Sequence, residues 1–265
     1  MTRRGGTLFL AFLLALPLAM LLAALASPWV QLLLSPLGAF PLHRIFSRLT
    51  MLFAFGWIIW VMLRAGLARR EVLGYGQPPR AFLPQMLAGL VAGLALIALA
   101  VVPLFVLGLR DWNLAKLAST GGPLAAAVKG LGSGLLVALI EETFFRGAMQ
   151  GALERRGSRR LALFAVPALY AAVHFLGRAG VVPYDEVTAS SGFTTLAGFF
   201  SGFAQPLRIV DAFIALYFVG LLLALARRRW NSLAACIGLH AGFVAVISVF
   251  RKISLPAQNP PWSFL

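Results

Sequence analysis

Two adjacent carboxylates, Glu141 and Glu142, lie inside the apolar stretch LVALIEETFFRGAMQ, and Arg146 follows the second after four residues. Two histidines, His174 in ALYAAVHFLG and His240 in ACIGLHAGFV, have similarly apolar surroundings. Ionisable groups in hydrocarbon are costly, so they normally face a bundle interior, pair with a partner and mark a functional site. A buried carboxylate with two imidazoles can activate water, hold a metal ion or relay protons.

The spacing around the two glutamates predicts a division of roles. Glu142 and Arg146 are four residues apart and share a helix face, which suits an ion pair. Glu141 points about 100° away from Glu142, so we expect it to react while its neighbour is structural. Two simpler interpretations stay open, namely that the histidines only hydrogen-bond between helices and that the ion pair serves packing alone.

The composition predicts a polytopic membrane protein with an all-α transmembrane helix bundle. Of 265 residues, 60% are hydrophobic and 12% are charged, whereas soluble domains are about 45–50% apolar and about 25% charged. The net charge of +15 comes from arginines at the edges of apolar segments, as in cytoplasmic loops of membrane proteins. That placement argues against nucleic-acid binding. The single cysteine, Cys236, excludes an intrachain disulfide and a CxxC metal motif.

Apolar runs long enough to cross a bilayer predict seven or eight spans, of which seven can be placed: 7–34, 49–67, 82–109, 123–151, 161–178, 207–226 and 231–250. With a cytoplasmic N-terminus, thirteen of the 23 lysines and arginines fall in inner loops and eight in outer loops, as the positive-inside rule requires. The first run has about 20 apolar residues, more than the roughly 7–15 of a signal-peptide core, which predicts a retained helix.

Three regions follow from this organisation. Residues 1–122 form N-terminal transmembrane helices of unassigned role, 123–250 carry the candidate site, and 251–265 are expected to be an irregular, proline-containing tail. The glycine- and serine-rich stretch 177–206 is expected to be a long outer loop. We measured the depth of each side chain as the distance along its own predicted helix from the nearest inner-loop arginine. This depth is about 21 Å for Glu141 and for His174, and about 17 Å for His240. The three side chains are therefore expected to meet at one level.

Three motifs in chain order resemble those of a known family. EETFFR matches the motif EExxxR, and YAAVH resembles FxxxH with Tyr170 in place of phenylalanine. HAGFV resembles HxxxN, with Val244 where the family has asparagine. Together they resemble the CAAX-prenyl protease and bacteriocin-processing family (CPBP, or Abi) of intramembrane proteases, over about residues 123–250.

The resemblance implies an endopeptidase that hydrolyses a peptide bond in a membrane-associated protein or peptide, prenylated or not, at the inner cell membrane. It implies that Glu141 is the catalytic glutamate, that His174 helps it to activate water, and that His240 holds the substrate carbonyl or its oxyanion. Glu142 and Arg146 would support the site. Because the family has been called metalloprotease, the three catalytic residues are also candidate ligands of a divalent metal such as zinc.

Two other functions remain open for the same residues. One is a non-catalytic membrane scaffold or a bacteriocin self-immunity protein on this fold, which the substitution at Val244 motivates. The other is a transporter or proton relay, because buried glutamates and histidines also serve proton pathways. The sequence contains neither repeated halves nor paired broken helices, which argues against a transporter.

Overall fold

The computed structural model describes residues 3–113, 115, 122–176 and 180–257, and this part of the chain is predominantly helical. The helices are α1 (Arg3–Leu34), α2 (Leu42–Arg64), α3 (Arg70–Leu73), α4 (Pro79–Val106), α5 (Gly122–Glu142), α6 (Gly151–Arg155), α7 (Arg159–Val173), α8 (Ser191–Phe199), α9 (Val210–Trp230) and α10 (Ala234–Ile253). A π-helical segment, Thr143–Gln150, joins α5 to α6. Short 3₁₀ turns occupy Ser35–Leu37, Tyr184–Glu186, Phe200–Ala204 and Pro206–Arg208.

Six helices of the described residues are long and apolar enough to cross a membrane. They are Gly5–Leu37, Leu42–Arg64, Pro79–Val106, Leu124–Arg155, Val210–Trp230 and Ala234–Ile253. Large apolar side chains on them, such as Leu33 and Leu99, are more than 70% exposed, as expected of groups that face lipid tails. The predicted all-α, multi-pass bundle is confirmed.

The predicted fifth span, 161–178, is wrong as a membrane crossing. The corresponding helix, α7, has 15 residues and a length of about 22 Å, which is less than the roughly 30 Å of a hydrocarbon core. Its last turn tightens, since the amide of His174 donates to the carbonyl of Ala171 at 3.2 Å. Apolar composition continues past the point where helical hydrogen bonding stops, so the sequence overestimated the length. Residues 177 and 178 lie outside the described part.

Two stretches in which no helix or strand was predicted contain regular structure. The predicted outer loop carries α8, apart from residues 177–179, which are not among those described. In the predicted C-terminal tail, α10 continues to Ile253 and a strand, β2 (Ser254–Pro256), pairs antiparallel with β1 (Arg110–Trp112). Arg110 reinforces this pairing by donating to the Ser254 hydroxyl at 2.9 Å. Residues 258–265 of the tail are outside the described residues.

The chain divides into two compact units. The first unit consists of Met1–Val72 and Ala148–Leu222, and the second consists of Leu73–Gly147 and Leu223–Leu265. In the first unit, α1 packs against α2 around a cluster containing Met20, Ala23, Ala24 and Phe46. In the second unit, α4, α5 and α10 pack around a cluster containing Ala138, Leu233, Ile237 and Ala241. Four of the five predicted site residues belong to the second unit, and His174 belongs to the first.

Candidate active site

Glu142 is the centre of a buried polar cluster in the second unit. Its Oε1 atom accepts a hydrogen bond from Arg146 Nη1 at 3.2 Å and another from His240 Nδ1 at 2.8 Å. Glu142 and Arg146 are fully buried, and His240 is 4% exposed. The predicted ion pair between Glu142 and Arg146 is confirmed. A carboxylate oxygen that accepts from a guanidinium also accepts from the imidazole, so His240 Nδ1 is the donor in this pair.

The opposite nitrogen of His240 faces the other glutamate. His240 Nε2 lies 3.9 Å from Glu141 Oε2, and the Glu141 side chain is 30% exposed. That distance allows electrostatic attraction but exceeds the range of a direct hydrogen bond. The imidazole therefore lies between the buried carboxylate of Glu142 and the more accessible carboxylate of Glu141. Glu142 is thus the buried and paired glutamate and Glu141 the more accessible one, and which of them reacts stays a prediction.

Close contact between α10 and α4 fixes the position of His240. Gly238 and Gly242 flank the histidine on α10, and a Cβ atom at either position would collide with the backbone of α4. In the same way, Gly89 and Gly93 of α4 abut backbone atoms of α10. Small residues four apart let transmembrane helices approach at backbone distance. The two glycine pairs therefore set the depth and rotation at which α10 presents the imidazole.

A second close contact holds α10 against the helix that carries the glutamates. At Gly134 of α5, a Cβ atom would come within 2.7 Å of the carbonyl oxygen of Ala241 and within 3.4 Å of the Val244 side chain. Val244, which stands in place of the family's asparagine, thus lies beside α5 and contributes apolar packing. With α10 fixed between α4 and α5, His240 reaches the last residue of α5, Glu142.

The π-helical segment begins directly after the two glutamates. Thr143 Oγ1 donates to the carbonyl of Leu139 at 2.6 Å, and the Tyr75 hydroxyl lies 2.5 Å from Thr143 Oγ1. Since the threonine proton goes to the carbonyl, Tyr75 is the donor in the second bond. Hydroxyls that bond four residues back compete with the helical ladder, and π segments are frequent at functional sites. Tyr75 and Thr143 were missed by the sequence reasoning, although Thr143 lies within EETFFR.

His174 occupies a different kind of position in the first unit. It is the C-cap residue of α7 and is exposed, so the prediction that it lies inside a membrane span, 161–178, is wrong. Its Nδ1 atom is 2.7 Å from the carbonyl oxygen of Tyr170, one turn earlier, and the two rings lie 4.5 Å apart. A carbonyl only accepts, so Nδ1 carries the proton and Nε2 is the basic nitrogen of the neutral ring.

Among the described residues, no group of three or more His, Cys, Asp or Glu side chains is arranged to hold a metal ion. Within the second unit, Nδ1 of His240 is engaged by Glu142, and Glu142 is engaged by Arg146. Of the three suggested ligands, Glu141 and His240 belong to the second unit and His174 to the first, and a zinc site needs three or four converging ligands. The metal site suggested for Glu141, His174 and His240 remains a prediction that metal analysis can measure.

Residues 123–246 match the family model described as Type II CAAX prenyl endopeptidase Rce1-like. The resemblance is confirmed over this segment. The Rce1-like segment begins in α5, ends in α10 and contains all five predicted site residues. No curated protein and no solved structure matches the chain. The family match supports a CAAX-type intramembrane protease in general terms, and the six candidate spans agree with a membrane setting.

Proposed function

We propose that this protein is an intramembrane endopeptidase of the inner cell membrane, with a cytoplasmic N-terminus. Its substrate is a membrane-associated protein or peptide, prenylated or unprenylated, in which it hydrolyses one peptide bond. The match of the Rce1-like segment supports the reaction class. The contacts of His240 with both glutamates carry the assignment of residues.

Glu141 acts as the general base in the proposed reaction. It takes a proton from water as the water oxygen bonds to the carbonyl carbon of the scissile peptide, and the carbonyl oxygen becomes an oxyanion. The proposed step requires a proton on each nitrogen of His240, so that Nδ1 donates to Glu142 while Nε2 donates to that oxyanion. When the C–N bond breaks, Glu141 returns its proton to the departing amine, which leaves a new carboxyl and a new amino terminus.

The arrangement around Glu142 suits this role of His240. Glu142 accepts from Nδ1 and so orients the ring, and Arg146 compensates the negative charge of Glu142. Electrostatic donors work best when they are preorganised in a site from which bulk water is excluded. His240 meets that condition because glycine contacts fix its helix.

The role of His174 comes from the family resemblance. It is proposed to assist Glu141 in activating water. The hydrogen bond from its Nδ1 to the carbonyl of Tyr170 supports this role, because the neutral ring then offers Nε2 as a proton acceptor.

Cleavage of matched prenylated and unprenylated peptides by the detergent-purified protein tests the proposal. Glu141→Gln and His174→Ala should each lower the rate by about 10²- to 10⁴-fold, the usual contribution of general acid–base catalysis. The exposed acid Glu71 provides a matched control, and Glu71→Gln should cleave at the wild-type rate. Wild-type cleavage by Glu141→Gln would overturn the assignment.

The same preparation separates the alternatives. A scaffold or immunity protein would keep its cellular phenotype in Glu141→Gln and lose it on changes to the inner loops. A proton relay would show Glu141-dependent flux in reconstituted vesicles. Elemental analysis of the purified protein, together with the effect of chelator on cleavage, measures whether zinc takes part.

A further inference from the structure

A basic pocket of about 510 Å³ lies in the first unit, apart from every residue assigned above. It is formed by the beginning of α1, the end of α2 and Arg156. Its volume falls within the roughly 300–1,000 Å³ of ligand pockets. Leu8, Ala11 and Val61 form an apolar wall, and Trp60 and Arg64 lie at the end of α2.

The charged side chains described in the lining of this pocket are all positive. Among the described residues, its lining includes two arginines, Arg64 and Arg156, and no carboxylate. Arg156 Nη2 donates to the carbonyl of Ala65 at 2.7 Å, which fixes its guanidinium at the edge of the pocket. The Arg64 guanidinium lies 5.8 Å from the centre of the Trp60 ring. Two positioned guanidiniums suit a phosphate group, which arginine binds through paired N–H donors.

The pocket also lies at the ends of two candidate membrane spans, which is the level of lipid headgroups. Two candidate spans, Gly5–Leu37 and Leu42–Arg64, have their ends here, so the arginines mark the boundary between hydrocarbon and headgroups. Trp57 donates its indole N–H to the carbonyl of Ala11 at 2.8 Å, and its ring lies 5.3 Å from that of Trp60. Tryptophans are enriched at this level of membrane proteins.

From these observations we infer that the pocket binds an anionic phospholipid. Its phosphate would contact Arg64 and Arg156, and an acyl chain would follow the wall formed by Leu8, Ala11 and Val61. Basic pockets between transmembrane helices on the cytoplasmic side recognise anionic headgroups, and the sequence predicts that this end faces the cytoplasm. Lipid binding here does not depend on the proposed protease activity.

Native mass spectrometry of the full chain in detergent tests the inference. The protein is mixed with phosphatidylglycerol and phosphatidylcholine of identical acyl chains, and the retained lipids are counted. The wild type should retain phosphatidylglycerol in preference to phosphatidylcholine. The double variant Arg64→Ala/Arg156→Ala should lower that retention about tenfold or more, as expected for two lost charge-assisted contacts.

The exposed residues Arg69 and Arg70 allow a control of equal charge. Arg69→Ala/Arg70→Ala should retain phosphatidylglycerol as the wild type does. The inference would be overturned if both double variants lost phosphatidylglycerol to the same extent. It would also be overturned if the wild type retained phosphatidylcholine as well as it retains phosphatidylglycerol. If the Arg156 change prevents folding, Arg64→Ala alone should still lower retention several-fold. Displacement of the lipid by millimolar inorganic phosphate would assign the site to free phosphate instead.

Discussion

His240 and His174 both follow an apolar helical run in the sequence, yet the structure holds them in opposite ways. His240, in the second unit, is 4% exposed and has a carboxylate near each ring nitrogen. His174, in the first unit, is exposed, caps a short helix and bonds its Nδ1 to a backbone carbonyl. The acceptor opposite Nδ1 is therefore a side-chain carboxylate at His240 and a backbone carbonyl at His174.

Equivalent sequence contexts thus give the two histidines different partners, the Glu142 carboxylate for His240 and the Tyr170 carbonyl for His174. The His240 ring, which lies between two carboxylates, suits a hydrogen-bond donor. The His174 ring, whose Nδ1 donates to a backbone carbonyl, suits a proton acceptor. If the comparison is correct, disturbing the support of His240 should affect folding as well as activity. Disturbing His174 should affect activity alone.

The largest effect is expected from Arg146→Met. Removing the guanidinium leaves Glu142 as an uncompensated buried charge, and such changes cost about 3–5 kcal/mol of stability. Denaturant unfolding in detergent measures the loss. Arg155 is exposed nine residues further along, and Arg155→Met should change stability by less than about 0.5 kcal/mol. Equal stability of the two variants would show that the buried pair is not what supports His240.

Replacing each histidine by alanine should separate its effect on stability from its effect on activity. His174→Ala should cleave about 10²- to 10⁴-fold more slowly, as for a lost general base, and His240→Ala about 10²- to 10³-fold more slowly, as for a lost oxyanion donor. His240→Ala should also lower the free energy of unfolding by about 1–3 kcal/mol, because Glu142 loses a buried hydrogen-bond donor. His174→Ala should change it by less than about 1 kcal/mol, since its side chain is exposed. The opposite order of stabilities would refute the distinction.

Glycine substitutions test how α10 is positioned. A methyl group at Gly238 would collide with the Met86 carbonyl and the backbone of Gly89, so Gly238→Ala should cost about 1–3 kcal/mol and displace His240. A methyl group at Gly132 of α5 would meet nothing within 4 Å, and Gly132→Ala should leave stability unchanged or raise it by up to about 1 kcal/mol. Unfolding curves and cleavage rates of both variants provide the readout.

Helical spacing and apolar runs in the sequence predicted those features of the site and fold that involve residues close together in the chain. The ion pair of Glu142 with Arg146 depends only on helical spacing, and six of the seven placed spans correspond to membrane-length helices. The partner of His240 could not be predicted in this way, because Glu142 is 98 residues away. Which glutamate meets the imidazole depends on the rotation of α10. The GxxxG pairs at Gly89 and Gly238 are visible in the sequence and were the signal that could have indicated its packed face.

The capping position of His174 and the bond of Tyr75 were less accessible to sequence reasoning. Hydropathy does not indicate where a helix loses its hydrogen bonds, so α7 was extended beyond Val173. Tyr75 lies outside the motifs and reaches Thr143 from 68 residues away. Both features depend on tertiary structure, which periodicity and composition describe only indirectly.

The smallest effect is expected from Tyr75→Phe. The lost hydrogen bond to Thr143 should cost about 1 kcal/mol and slow cleavage no more than about tenfold, since Thr143 adjoins Glu142 without touching the reacting atoms. Burial, together with the negative charge of Glu142, raises the pKa of Tyr75 above its usual 10.0. The phenol therefore stays protonated in the folded protein at a pH where the unfolded chain ionises.

The sign of the pH dependence follows from that pKa. Because the folded state retains this proton longer, the stabilisation by Tyr75 is complete below pH 10 and declines as the pH rises further. The difference in unfolding free energy between wild type and Tyr75→Phe should thus be constant at neutral pH and shrink above about pH 10. Tyr184, which is 42% exposed, gives the control Tyr184→Phe. A difference that grew with pH would contradict donation by the Tyr75 hydroxyl to Thr143 Oγ1.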